Sequence, residues 1–318
     1  MTFFNDLIVK ISTSFEILKL IFWKRRRFTK KVDLNGKVVL VTGANTGIGK
    51  ETVYQLALSG AKVIIGSRNV EKGENAAKDI RSRYEKANVV VMKLDLASFA
   101  SIRQFAKELK ERESKLDILV NNAGVMRCPY STTEDGFEMQ FGTNHLGHFL
   151  LTLSVMSLLQ SAPKARIVNV SAALYVFGKI HFENINLRNN AYTPLMGYYQ
   201  SKLANILFTK ELATRLGSKS SVNAYSLHPG VIETELQRSF PKWMTRLGKI
   251  LTISLEMGVQ TTLYCALDDS LDNESGYYYD DCQRVKRMTT NATNEESAKR
   301  LWEMSCDLTK LEDHFRIN

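Results

Sequence analysis

Tyr198-Tyr199-Gln200-Ser201-Lys202 sets a phenol and an ammonium four residues apart, which on a helix places them on one face, a turn from each other. A free phenol, with a pKa of about 10, exchanges protons poorly at neutral pH. A neighbouring cation favours the phenolate, so Tyr198 is a candidate general acid/base and Lys202 its tuner. Tyr-x-x-x-Lys is a common pattern with no meaning of its own. Its weight here comes from a second stretch far upstream.

That stretch is Val38-Val39-Leu40-Val41-Thr42-Gly43-Ala44-Asn45-Thr46-Gly47-Ile48-Gly49-Lys50, an apolar run that turns through three glycines into an amphipathic segment. It predicts a strand, a tight turn and a helix start. Gly43, Gly47 and Gly49 put no Cβ between the backbone and a pyrophosphate, whose charge suits the free N–H groups of a helix N-terminus. A dinucleotide is the expected guest, although the spacing is G-x-x-x-G-x-G and not G-x-G-x-x-G. In such a site the end of the second strand meets the adenosine ribose, where a carboxylate selects a hydroxyl and an Arg a phosphate. Here Gly66-Ser67-Arg68-Asn69 offers one guanidinium and no carboxylate, so NADP(H) is preferred over NAD(H).

These residues need a scaffold, and strand and helix patterns alternate from Val32 onward. Strands are expected at Lys37–Val41, Lys62–Gly66, Val89–Leu94, Leu116–Val120, Arg166–Val170 and Val222–Leu227. Between them lie helices at Glu51–Ser59, Glu71–Glu85, Ala100–Glu111, Thr143–Leu159 and Tyr198–Leu216, and Lys299–Lys310 forms a last one. The fold class is α/β, a Rossmann-type doubly wound parallel sheet in a single domain, residues 32–318, preceded by an N-terminal amphipathic helix.

In the first 23 residues Phe3, Phe4, Leu7, Ile8, Ile11, Phe15, Leu18, Ile21 and Phe22 recur at helical spacing, interrupted by Asp6, Lys10, Glu16 and Lys19. The charges are too frequent for a span of about 20 apolar residues. Trp23, then Lys24-Arg25-Arg26-Arg27 and Lys30-Lys31, suit a helix in the headgroup region of an anionic leaflet, so residues 1–31 form a membrane-association segment. Packing on the protein's own body and a mitochondrial presequence are the alternatives. This segment carries +6 of the net charge of +10, and no aromatic-interleaved basic surface follows, which argues against nucleic acid. Cys128, Cys265, Cys282 and Cys306 are widely spaced, with no metal-ligand pattern, and read as free thiols in a reducing compartment.

Together, Thr42–Gly49, Asn121-Asn122-Ala123-Gly124, Asn144-His145-Leu146-Gly147, Tyr198 with Lys202, and Pro229-Gly230-Val231-Ile232-Glu233-Thr234 resemble the short-chain dehydrogenase/reductase family. The resemblance runs from about Leu34 to Asp281. "TGANTGIGKET", "NNAGVM", "HLGHFLLT", "SKLANILF" and "HPGVIETEL" look most like its membrane-associated retinol dehydrogenase branch. The resemblance implies interconversion of an alcohol and a carbonyl on a small apolar substrate, retinol/retinal or a related lipid aldehyde or ketone, usually with NADP(H). It makes Tyr198, Lys202 and Asn144 catalytic, with Asn144 holding a relay water. Cofactor contacts fall to Gly43, Asn45, Thr46, Gly47, Ile48, Gly49, Arg68, Asp95 and Leu96 beside the adenine, Asn122, Ala123, Gly124, Tyr198, Lys202, Pro229, Gly230, and Thr234 at the nicotinamide end. No metal is expected. A homodimer, and a place on the cytosolic face of the endoplasmic reticulum with the mitochondrion as alternative, complete the expectations.

One position departs from the family. Where Val-Ser-Ser is usual and the second Ser bonds the substrate oxygen, this chain has Val170-Ser171-Ala172. Ala172 donates nothing, and Ser171 faces the opposite way on an extended backbone. The alternative function is therefore a catalytically weak cofactor-binding protein at a membrane. Arg238–Leu251, with Phe240, Trp243 and Met244, is a candidate lid over the substrate, with core packing or a membrane-facing surface as equal alternatives.

Overall fold

A computed structural model describes Asp6, Val9 and residues 25–230 and 253–317. Thr234, the candidate lid and nearly all of the N-terminal helix lie outside these residues.

The chain builds β1 (Val38–Thr42), α1 (Gly47–Leu58), β2 (Lys62–Ser67), α2 (Val70–Arg83), β3 (Val89–Lys93), α3 (Phe99–Arg112) and β4 (Ile118–Asn121). Next come α4 (Met139–Phe141), α5 (Gly147–Ser154), α6 (Met156–Gln160), β5 (Ala165–Val170), α7 (Pro194–Leu216) and β6 (Val222–His228). The described chain closes with α8 (Leu255–Gly258), α9 (Gln260–Leu267), β7 (Tyr277–Asp280), β8 (Gln283–Arg284), α10 (Thr290–Thr293) and α11 (Glu295–Leu308). The sheet order is β3-β2-β1-β4-β5-β6-β7-β8, with all pairs parallel except β7 with β8.

Every residue of β1 is buried, because both faces of the sheet are covered. Val38 and Leu40 join the core beneath α3, α5 and α7, whereas Val39 and Val41 join the core beneath α1 and α9. The chain winds outward from β1 to β3 and then returns to β4 on the other side of β1. That reversal opens a crevice at the carboxyl ends of β1 and β4, the place where open α/β sheets take ligands.

Three sequence expectations change. The sheet has two further strands, β7 and β8. Tyr277-Tyr278-Tyr279-Asp280 is too short to show alternation, and its hairpin partner is reached through Asp281 and Cys282, both at positive φ (49° and 55°). The single helix expected at Thr143–Leu159 is three pieces: Gly142–Leu146 is a π-turn between α4 and α5, and Val155, at φ −104° and ψ 8°, separates α5 from α6. Finally, α7 begins one turn early, at Pro194, where Thr193 Oγ1 accepts the Met196 N–H at 3.1 Å.

Candidate active site

The glycine turn closes the way its residue types require. Gly43 and Gly47 take φ of +63° and +57°, which favours glycine. A Cβ on Gly43 would stand 2.7 Å from Ala123 Cα, and one on Gly49 2.5 Å from Asn122 Nδ2 and 2.7 Å from Gly43 O. The turn is therefore locked against the β4 loop as well as shaped for an incoming ligand. Asn122 Nδ2 donates to Thr42 O at 2.8 Å, and the N–H groups of Asn122 and Ala123 donate to Thr42 Oγ1 at 3.0 and 2.9 Å.

The start of α1 is left open to an anion. Thr46 is its N-cap, extended and making no side-chain cap bond, and the first turn has no acidic residue. Unsatisfied N–H groups with no competing carboxylate fit a pyrophosphate. Arg68, just past β2, is exposed and has no ion pair among the described residues. Asp95 and Leu96 follow β3 on the same edge, where Asp95 Oδ1 accepts the Ala97 N–H at 3.0 Å and Leu96 is buried. Asn45 and Ile48 lie in the turn and the first turn of α1, so the predicted adenosine-to-pyrophosphate contacts share one rim.

Across the crevice, α7 runs back along the sheet and brings its first turns to the carboxyl edge. Tyr198 and Lys202 are buried there, with Lys202 Nζ 5.6 Å from the centroid of the Tyr198 ring. Lys202 Nζ donates to Val170 O, at the end of β5, at 3.0 Å, leaving two N–H groups for other partners. Burial pushes the Tyr198 phenol above its ordinary range and the Lys202 ammonium down to about 8. The pair is therefore poised with only one member ionised: at neutral pH the phenol keeps its proton and the lysine keeps most of its charge.

Asn144 sits in the π-turn, a feature often found at functional sites. Both of its side-chain donors are used, Nδ2 bonding Val125 O at 3.0 Å and Ser201 Oγ at 2.9 Å, while Oδ1 accepts the Val125 N–H at 2.8 Å. Ser201 Oγ in turn donates to Tyr198 O at 2.8 Å. Asn144 thus fixes the loop after Gly124 to the Tyr198 turn of α7. A Cβ on Gly124 would lie 3.3 Å from Asn144 Oδ1 and 3.6 Å from Lys202 Nζ, so all three converge.

Two participants went unnoticed in the sequence. Thr42 Oγ1 already accepts two N–H groups, so its proton goes to His148 Nε2 at 2.8 Å, and His148 Nδ1–H donates to Asn144 O at 3.0 Å. Burial holds this imidazole neutral, with its pKa down to about 4. The chain Thr42, His148, Asn144 ties the glycine turn to the acid/base residues. Only the helical spacing of Asn144 and His148 hinted at it.

The end of β5 shows which way Ser171, the neighbour of Ala172, is turned. Ser171 Oγ donates to Lys202 O at 2.7 Å, facing α7, and Ala172 is extended, at φ −156° and ψ 153°. The Ser171 hydroxyl is part of the wall that supports Lys202. At the end of β6, Pro229 and Gly230 follow at once, Gly230 at φ +99°.

Part of the basic stretch ahead of β1 is bonded to the body. Arg25 is buried against the body, Arg27 pairs with Glu256 at 2.9 Å, and Lys30 pairs with Asp268 at 2.9 Å and with Asp269. Two of the six cations of this stretch are thus paired with carboxylates of the body, and a third, Arg25, is buried. The two described residues of the amphipathic helix also touch the body: Asp6 Oδ1 accepts the Thr290 N–H at 2.9 Å, and Val9 joins the core. Among the described residues, no helix is long and apolar enough to cross a membrane.

Residues 37–245 match the family model for short chain dehydrogenases. The chain belongs to the short-chain dehydrogenase/reductase family. It is 50% identical to human retinol dehydrogenase 11 over 285 residues, 89% of each chain, and 48% identical to human retinol dehydrogenase 13, covering 89% of this chain and 87% of that one. Mouse retinol dehydrogenase 12 is 45% identical over 95% of this chain and 97% of its own. Among solved structures, an uncharacterised protein from Mycobacterium paratuberculosis is similar, with a TM-score of 0.74 and 36% identity over 91% of this chain and 99% of that one. A short chain dehydrogenase from Shigella flexneri, solved with NADP, shares the fold at a TM-score of 0.63 and 23% identity, covering 80% and 100%. Membership makes the chain an oxidoreductase of the nicotinamide-dependent kind, and the glycine cradle has the shape and the uncapped helix start that such a cofactor needs.

Proposed function

We propose that the protein interconverts an alcohol and a carbonyl on a small apolar substrate, using NADP(H), and that retinol/retinal or a related lipid aldehyde or ketone is that substrate. The observation that carries the reading is the convergence of Lys202 and Asn144 on Gly124, with the Tyr198 ring 5.6 Å from Lys202 Nζ. The names of the relatives support the choice of retinoid.

The α1 start with Gly43, Asn45, Thr46, Gly47, Ile48 and Gly49 would hold the pyrophosphate, and Arg68 the 2′-phosphate through its planar fork. Asp95 and Leu96 would flank the adenine, Asn122, Ala123 and Gly124 the middle, and Pro229, Gly230 and Thr234 the nicotinamide end. Bound there, the cofactor supplies or accepts the hydride. Reduction of a carbonyl also needs one proton, and Tyr198 donates it from its hydroxyl to the substrate oxygen. Lys202 stabilises the phenolate left behind, its charge close by in a water-poor site. In oxidation the same phenolate takes the alcohol's proton. The two donors of Asn144 are occupied, so a relay water would donate to one of its oxygens.

The test mixes the purified protein with NADPH and all-trans-retinal and follows cofactor oxidation. Turnover should exceed that of Tyr198→Phe by about 10²–10⁴-fold. Equal rates for the two proteins refute the reading. A second reading, a weakly catalytic cofactor-binding protein, is favoured by one observation: Ala172 donates nothing, and Ser171 is committed to Lys202. It predicts NADPH binding with negligible turnover over a broad carbonyl panel. In either case the pattern of residues 1–23 supports a place on a membrane surface, the cytosolic face of the endoplasmic reticulum being our first choice and the mitochondrion the second.

A further inference from the structure

The segment 25–30 has neither helix nor strand, yet it is bonded along its length to the far end of the sheet. Arg26 N–H donates to Asp281 Oδ1 and Phe28 N–H to Gln260 Oε1, both at 2.9 Å, while Arg27 and Lys30 make the ion pairs described above. The segment is a strap across α8, α9 and the β7–β8 hairpin. It delivers one side chain to the site.

That side chain is Arg25. Its side chain is only 5% exposed; NH1 donates to Pro229 O at 3.5 Å, and NH2 lies 3.9 Å from Asp280 Oδ1. A Cβ on Gly230 would be 2.3 Å from Arg25 NH1, so the guanidinium rests directly on the backbone that leaves β6. Taking a charge out of water costs several kcal/mol unless close partners compensate it, and these contacts are long. Arg25 Nε is buried with no hydrogen-bond partner, as are both ring nitrogens of His228, the residue before Pro229. Burial, Arg25 and Lys202 together hold His228 neutral, its pKa down to about 3. A buried cation and a neutral imidazole with unused polar atoms therefore meet at the turn that follows β6, near enough to Lys202 for its charge to act on His228.

We propose that Arg25 is a positioning residue for the nicotinamide half of the cofactor, fixing the Pro229–Gly230 turn from behind. The proposal rests on the cofactor reading above. It makes the strap part of the catalytic body: residues read in the sequence as a membrane-association segment would also shape the active site.

The test uses the full-length chain with Arg25→Ala, Arg25→Lys and Arg27→Ala, measuring dissociation constants for NADPH and for 2′,5′-ADP, which carries the adenosine end and lacks the nicotinamide. Arg25→Ala should weaken NADPH by about tenfold and leave 2′,5′-ADP within about twofold, with Arg25→Lys in between. Arg27→Ala removes the same charge from the strap without touching Gly230, and should leave both ligands unchanged. Unaltered NADPH binding in Arg25→Ala overturns the proposal. So does equal weakening of both ligands, the mark of a merely structural role, or an Arg27→Ala effect as large as that of Arg25→Ala, the mark of general electrostatics. Binding is read without turnover, so an inactive wild type that still shows the split refutes the enzymatic reading and leaves Arg25 in place. A wild type that binds neither NADPH nor NADH overturns both; one that binds only NADH refutes the NADP preference, and NADH with ADP then reports the same split.

Discussion

The hydroxyl of Ser171 donates to the main-chain oxygen of Lys202 at 2.7 Å, so the serine next to Ala172 faces α7 and supports the lysine's backbone. Ala172→Ser restores a donor at the position where the family has one. If the site is an enzyme lacking that donor, turnover should rise by about 10²-fold, read as kcat with retinal and NADPH. Ser171→Ala should instead lower thermal stability by about 1 kcal/mol, seen as a modest fall in Tm. An increase in kcat with Ser171→Ala would contradict the assignment.

Arg68 is exposed, without an ion pair among the described residues, at the end of β2. A hydrogen bond to a charged group contributes about 1.5–3 kcal/mol. Arg68→Ala should therefore weaken NADPH by about tenfold or more and leave NADH nearly unchanged, in paired titrations. Parallel loss of both cofactors would remove the basis for preferring NADP(H).

Burial brings Lys202 down to about 8, so its charge is present below that pH and lost above it. A cationic Lys202 attracts the anionic cofactor and stabilises the phenolate. NADPH affinity should thus be flat from neutral pH to about 7.5 and weaken through about 8 to 9. Lys202→Arg, which stays charged, should move this limb beyond the measured range. A wild-type profile that stays flat to pH 10 would remove Lys202 from the cofactor site.

Gly49 has no room for a methyl group, with Asn122 Nδ2 at 2.5 Å and Gly43 O at 2.7 Å from the place a Cβ would take. The second of these is backbone, which cannot rotate away. Gly49→Ala should cost about 1–3 kcal/mol of stability and loosen the hold of Asn122 on Thr42 O. NADPH binding should fall with it, since the same turn forms the phosphate cradle. Calorimetry and a cofactor titration on one sample check both effects.

The sequence by itself determined the alternating body, the glycine turn, the Tyr198–Lys202 face and the missing donor at Ala172. Each is a local matter: a period of two or 3.6 residues, a Cβ that is absent, or a side chain that lacks an oxygen. Only the tertiary structure decided where the serine beside Ala172 points, that Thr42 and His148 join the turn to Asn144, and that Arg25 rests on Gly230. Apart from the helical pair Asn144 and His148, these links are long-range: 31 residues for Ser171 and Lys202, 106 for Thr42 and His148, and 204 for Arg25 and the neighbouring Pro229. No periodicity encodes such separations, because they depend on which strands become neighbours and on which charges the body itself can neutralise. The same dependence governs the basic stretch ahead of β1, three of whose cations have protein carboxylates within ion-pair distance in the fold.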